Sequence, residues 1–165
     1  MVKPSLLLVL VASMMAGQSS QAPSNFAVRI EFGCNGVDVL DSAKGTYERQ
    51  MSRGPRQVAH IAINSELKER WFRLVNEARF FDISSKRLER VTLCEPSTHV
   101  TMTVSAYARR HTVRWEDCQT EDLPEEFRPS NPEYWRAQTL ASEILREVQA
   151  MPSVVRLRPG DLFCL

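Results

Sequence analysis

Two separated stretches of strict apolar–polar alternation constrain this chain more than any other feature. Phe26, Val28, Ile30 and Phe32 alternate with Ala27, Arg29, Glu31 and Gly33, and Val100, Met102, Val104 and Ala106 alternate with Thr101, Thr103, Ser105 and Tyr107. A period of two marks strands with one buried and one wet face. The dry face needs an apolar partner layer, and two helical segments supply it. Leu67, Trp71, Leu74, Val75 and Ala78 repeat at helical spacing behind Asn64-Ser65, which can cap a helix, while Glu66 and Glu69 suit its positive end. Tyr134, Ala137, Leu140, Ala141, Ile144, Leu145 and Val148 form a second stripe. Its start is marked either by a capping box of Ser130 with Glu133 or by Asn131 ahead of Pro132.

The remaining elements follow from punctuation. Asn35-Gly36 reads as a turn, Gly45–Met51 as a second strand, and Gly54-Pro55 as the entry to a third strand at 57–63. Phe80-Phe-Asp-Ile83 reads as a helix exit that folds its aromatic rings into the core, and Ser84–Glu95 as an exposed connection. Residues 98–116 form a hairpin with Arg109-Arg110 at its tip, so that Ala106 faces Val113 and Val104 faces Trp115. Pro152 stops the last helix, and the tail turns at Pro159-Gly160. The expected fold is α+β: a single antiparallel sheet of about five strands with two helices packed on one face, in the order β-β-β-α-β-β-α. No alternation of the kind that builds parallel sheets is present.

Ahead of this body, Lys3 precedes the apolar run Leu6–Ala16. Eleven residues are too few for a helix to cross a hydrocarbon core, which takes ~20, but they suit the central region of a signal peptide. The expected organisation is a signal peptide at 1–22 and one domain at 23–165, with no membrane span after cleavage. Ser20-Gln21-Ala22 places the cut after Ala22; Pro23 would then be the first mature residue, an unfavourable position, and a cut near Ser19 is the alternative. The implied destination is the periplasm or the extracellular medium, where disulfides persist. Cys34, Cys94, Cys118 and Cys164 are then read as structural crosslinks. Four cysteines allow three pairings. Cys94 with Cys118 would close the hairpin, and Cys34 with Cys164 would fix the tail to the first strand. In the chain-entropy model the shorter loop contributes about 3.5 kcal/mol.

Composition excludes some partners. Loss of residues 1–22 removes only Lys3 among the charged side chains and leaves 20 basic and 20 acidic groups. A near-neutral domain has no overall attraction to nucleic acid or to an anionic membrane. About 143 residues also suffice for a hydrophobic core without metal.

Cys34-Asn-Gly36, Phe80-Phe-Asp-Ile83, Val100–Val104 with His111–Trp115, and Leu140–Val148 together resemble a group of small exported bacterial domains of unknown function. The similarity spans 27–149. That group often carries a second cysteine and a proline soon after the first cysteine, where this chain has Asn35-Gly-Val-Asp38. The resemblance implies the same architecture and no known activity.

No residue pattern names a reaction. There is no Cys-x-x-Cys pair and no Gly-x-Ser-x-Gly elbow. His60, His99 and His111 have no metal-ligand spacing and read as strand histidines. Glu116, Asp117, Glu121 and Asp122 lack the regular oxygen spacing of a calcium loop. No catalytic residue, cofactor or metal is assigned. Arg109 and Arg110, with Arg114, read first as a solvated turn; they are also the candidate contacts to an acidic partner or phosphate. The expected function is a non-catalytic exported module that binds a protein or envelope component through its sheet face or loops. The alternative is a small hydrolase or transferase with an unrecognised site. Peptide mapping of the non-reduced protein should recover Cys94 joined to Cys118 and Cys34 joined to Cys164; a Cys34–Cys94 peptide would overturn the scheme.

Overall fold

A computed structural model describes residues 21–33, 37–86, 88, 98–117 and 130–160. All four cysteines, and the signal segment up to Ser20, lie outside the described residues, and so does the crosslinking scheme. The fold class expected from the sequence is the observed one. A single antiparallel sheet has the strand order β4-β3-β2-β1-β5-β6. Its strands are β1 (Ala27–Gly33), β2 (Asp38–Asp41), β3 (Thr46–Arg49), β4 (Gln57–His60), β5 (Thr98–Ala106) and β6 (Arg109–Asp117). Helix α1 (Ser65–Glu77) joins the outermost strand β4 to β5, which lies beside β1, so it must cross back over the sheet. Helices α2 (Pro132–Gln149) and α3 (Pro152–Val155) follow β6.

The sheet has six strands where the sequence suggests five. The additional one is β2, only four residues long, in which Val39, Leu40 and Asp41 are all buried. A short strand without apolar–polar alternation offers no period to read. The second and third strands are also shorter than expected, at Thr46–Arg49 and Gln57–His60.

The hairpin corrects the expected tip. Ala106 pairs with Arg109, Val104 with His111, Met102 with Val113 and Val100 with Trp115. The two-residue tip is therefore Tyr107-Ala108, and Arg109 and Arg110 begin the return strand. Tyr107 takes a left-handed φ of 55° without a glycine. The Asn25 side chain holds it there, accepting from the Tyr107 backbone N–H at 3.0 Å and donating to the Tyr107 carbonyl. Partners have moved by four positions from the expected register, an even number, so each side chain keeps its face. Val113 and Trp115 remain inward.

Register fixes the composition of each face. Val28, Ile30, Leu40, Tyr47, Ala59, Val100, Met102, Val104, Val113 and Trp115 share the inner face and are buried. Against them lie Leu67, Trp71, Phe72 and Val75 of α1 and Tyr134, Ala137, Leu140, Ala141, Ile144 and Val148 of α2, all in one continuous core. Phe72 is buried, whereas Leu74 and Ala78, expected in the stripe, are only partly so. Phe80 lies in the core within a three-residue 3-10 turn, with Phe81 partly buried beside it.

Both caps take one of the expected forms. Asn64 Oδ1 accepts from the Leu67 N–H at 2.8 Å. Asn131 Oδ1 accepts from the Glu133 N–H at 2.9 Å with Pro132 in the first turn, the second of the two starts considered. Polar side chains then lock the layers. Trp71 Nε1 donates to Glu147 at 2.8 Å, and Arg70 meets the same carboxylate oxygen at 3.0 Å, which ties α1 to α2. Trp115 Nε1 donates to Gln138 at 2.7 Å, which ties α2 to β6.

Ile30 sits at the centre of the core with no exposed surface and is flanked by Leu40 and Met102. Replacing Ile30 by Ala should therefore cost about 2–5 kcal/mol in urea unfolding. On the wet face, Thr101→Ala should change stability by roughly 0.5 kcal/mol or less.

Candidate functional site

The outer face of the sheet is a polar grid. One row reads His60, Thr46, Asp41, Arg29, Thr103 and Thr112 across all six strands, and the next reads Val58, Glu48, Val39, Glu31, Thr101 and Arg114. Its charges largely satisfy one another. Arg29 reaches Glu31 at 2.6 Å and Asp41 at 2.9 Å, while Arg56 lies 3.6 Å from Glu48. Asp41 also accepts from the backbone N–H groups of Ala43 and Lys44, closing the turn after β2. Burial opposes the charge on Arg29, but its bonds to Glu31 and Asp41 outweigh that and raise its pKa. The Thr103 and Thr112 hydroxyls bond across strands at 2.9 Å. The part of this surface over β1 to β3 is thus self-neutralised.

The three arginines singled out from the sequence are divided by the register. Arg109 lies on the inner-face side of β6, its guanidinium 4.6 Å from the Phe81 ring centre and donating to the Phe81 carbonyl at 3.3 Å. Arg110 and Arg114 are exposed on the outer face, opposite Ser105 and Thr101. Arg109 is therefore part of the packing between the return strand and the aromatic turn. Only Arg110 and Arg114 share a face.

The histidines do not converge either. His60 is exposed on β4. His99 lies 3.4 Å from the buried Glu116. His111 packs against Phe80 and Phe81, with Nε2 2.8 Å from the Ile83 carbonyl oxygen. None lines either cleft described next. Among the described residues no group of histidine, cysteine and carboxylate side chains could hold a metal ion.

Two clefts stand out among the described residues. One, about 280 Å³, is polar and lies where the N-terminal segment meets α1, lined by Ser24, Asn25, Ser42, Ile63, Lys68 and Trp71 among others. Lys68 closes part of it by donating to the Ser24 carbonyl at 2.7 Å. The other, about 320 Å³, runs between α1 and α2 on the side away from the sheet. Its floor is Leu74, Ala78, Leu140 and the half-buried Trp135; Glu77, Arg136, Thr139 and Glu143 complete its lining. Trp135 is set by its neighbour: Tyr134 is wholly buried, and the two rings meet edge to face at 5.2 Å between centres. Arg136 is already engaged, donating to the Ala78 carbonyl at 3.3 Å and lying 3.9 Å from Glu133. In the sequence Leu74 and Leu140 belong to the two apolar stripes, whereas Trp135 lies outside them. Its signal was a large aromatic residue at the flank of the α2 stripe, one position beyond the buried Tyr134.

A third polar cluster is structural. Tyr47 Oη donates to Asp38 at 3.0 Å, the Gln50 N–H donates to the other carboxylate oxygen at 2.8 Å, and Arg49 lies 5.7 Å over the Tyr47 ring. Burial raises the Tyr47 pKa above its usual 10.0, and the charge of Asp38 adds to the rise. The unfolded chain therefore ionises first as pH increases. The stabilisation is complete below the unfolded value and is lost as pH climbs through the folded one.

No family model matches the chain, and a search of the curated proteins finds no match. The geometry of the molecule therefore carries the functional argument.

Urea unfolding from pH 9 upward should show stability falling more steeply for the wild type than for Tyr47→Phe once pH passes about 10. Parallel curves would mean that the phenol titrates alike in both states.

Proposed function

We propose that the protein is an exported, non-catalytic module that binds a protein or envelope component, and that the cleft between α1 and α2 is its contact site. The observation that carries this reading is the cleft floor between α1 and α2, in which the partly buried Leu74, Ala78 and Trp135 lie beside the buried Leu140. Large aromatic side chains half-buried in such a groove are favoured anchors for a partner. The volume, about 320 Å³, is near the lower end of the range for small-molecule sites and suits one or two side chains of a partner.

The outer sheet face supports the reading less, because the charges on β1 to β3 are already paired, Arg110 and Arg114 stand without an apolar floor beside them, and the face carries little apolar surface. The hydrolase or transferase alternative needs a histidine beside a carboxylate or hydroxyl in a cleft. Neither cleft contains one.

Oxidised wild-type protein immobilised in envelope extract should retain a defined partner that Trp135→Ala loses and the double variant Arg110→Ala, Arg114→Ala keeps. Retention by Trp135→Ala with loss in the arginine variant would move the site to the β6 edge. Absence of any partner on the wild type would remove the binding reading.

A further inference from the structure

The two clefts, the paired charges of the outer face, the Tyr47 cluster and the exposed tyrosine at the hairpin tip differ in one respect: only the cleft between α1 and α2 combines apolar floor with unneutralised charge. Glu77 and Glu143 both line it, and among the described residues neither lies within ion-pair distance of a cation. The one cation in its lining, Arg136, is turned to the Ala78 carbonyl and Glu133. Glu77 is also the last residue of α1, whose final turn carries no basic side chain. The negative end of that helix therefore adds to the field of the two carboxylates.

Resting on the binding role proposed above, we infer that the cleft selects a partner segment bearing an arginine or lysine beside an apolar residue. The apolar residue lies on Leu74 and Leu140, the aliphatic stem of the cation lies along Trp135, and its charged head meets Glu77 and Glu143. A cationic head beside two carboxylates gains an attraction that an uncharged polar head of similar length does not. A long basic side chain also matches the site by its two-part character, with an apolar stem and a charged tip. An acidic segment would set like charge against both carboxylates, so the same groups exclude it.

The test uses the full oxidised protein and a fluorescent, acetylated and amidated octapeptide of alternating leucine and arginine. Counterparts carry glutamine or glutamate in place of arginine. Anisotropy titrations at low salt should show the arginine peptide binding about tenfold more tightly than the glutamine peptide, and the glutamate peptide binding most weakly. The double variant Glu77→Gln, Glu143→Gln should reduce the arginine preference to about threefold or less. Trp135→Ala should weaken both the arginine and glutamine peptides. Circular dichroism checks that each variant is folded, and the charge variants alter only cleft-lining side chains outside the core.

Equal binding of the arginine and glutamine peptides would overturn the inference, as would a preference that survives the double variant. No binding of the arginine peptide up to millimolar concentration would do the same. A dimer in sedimentation that Trp135→Ala dissociates would assign the cleft to a second copy and also refute it. If the envelope partner depends on Trp135 while the peptides show no charge preference, only the charge selection falls. If no partner depends on Trp135, the binding role itself falls.

Discussion

Strand β1 pairs along both of its edges, with β2 on one side and β5 on the other, and the rest of the architecture depends on that double pairing. β2 is the next strand in sequence, but β5 arrives only after the chain has passed through β3, β4 and α1. The β1–β5 ladder runs over seven pairs, from Ala27↔Ser105 to Gly33↔His99. Forming it requires closing a long loop, and only simultaneous burial of Val28, Ile30, Met102 and Val104 beneath the helices repays the lost chain entropy. Sheet centre and helix layer are therefore one cooperative unit.

The helix layer is held in place by directional bonds as well as by packing. The two fully buried tryptophans each carry an N–H that must find an acceptor, and both acceptors belong to α2: Glu147 for Trp71 and Gln138 for Trp115. α2 is thereby fixed relative to α1 and to β6 at once. The cleft lies between α1 and α2 away from these two bonds, with Trp135 in its lining and the Arg136 bond to the Ala78 carbonyl beside it.

Much of this was legible in the sequence, for identifiable reasons. β1 and β5 alternate over seven and nine residues, and the α2 stripe spans four turns; long periods resist misreading. β2 was illegible because its four residues, Asp38 to Asp41, show no alternation: each face carries one aspartate and one apolar side chain. The hairpin tip was misplaced because adjacent arginines look like a turn, whereas the actual turn is stabilised by Asn25, which is remote in sequence. The cleft was hidden for a related reason. Its carboxylates sit on two helices and are brought to one cleft only through tertiary packing, and the position of Trp135 at the flank of the α2 stripe marks a groove only once α1 is placed beside it.

The edges of the sheet have a consequence for behaviour at high concentration. On one side the Arg158 backbone engages the Gln57 side chain and Arg49. On the other, Leu88 bonds the outward carbonyl of Arg114 at 2.9 Å, and Arg110 and Arg114 project from the same side of the terminal strand. Two molecules approaching rim to rim along that strand would bring guanidinium against guanidinium, while the Leu88 bond occupies part of the template. Sheet growth from one molecule to the next is opposed at its first step, which favours solubility over fibre formation in a crowded compartment.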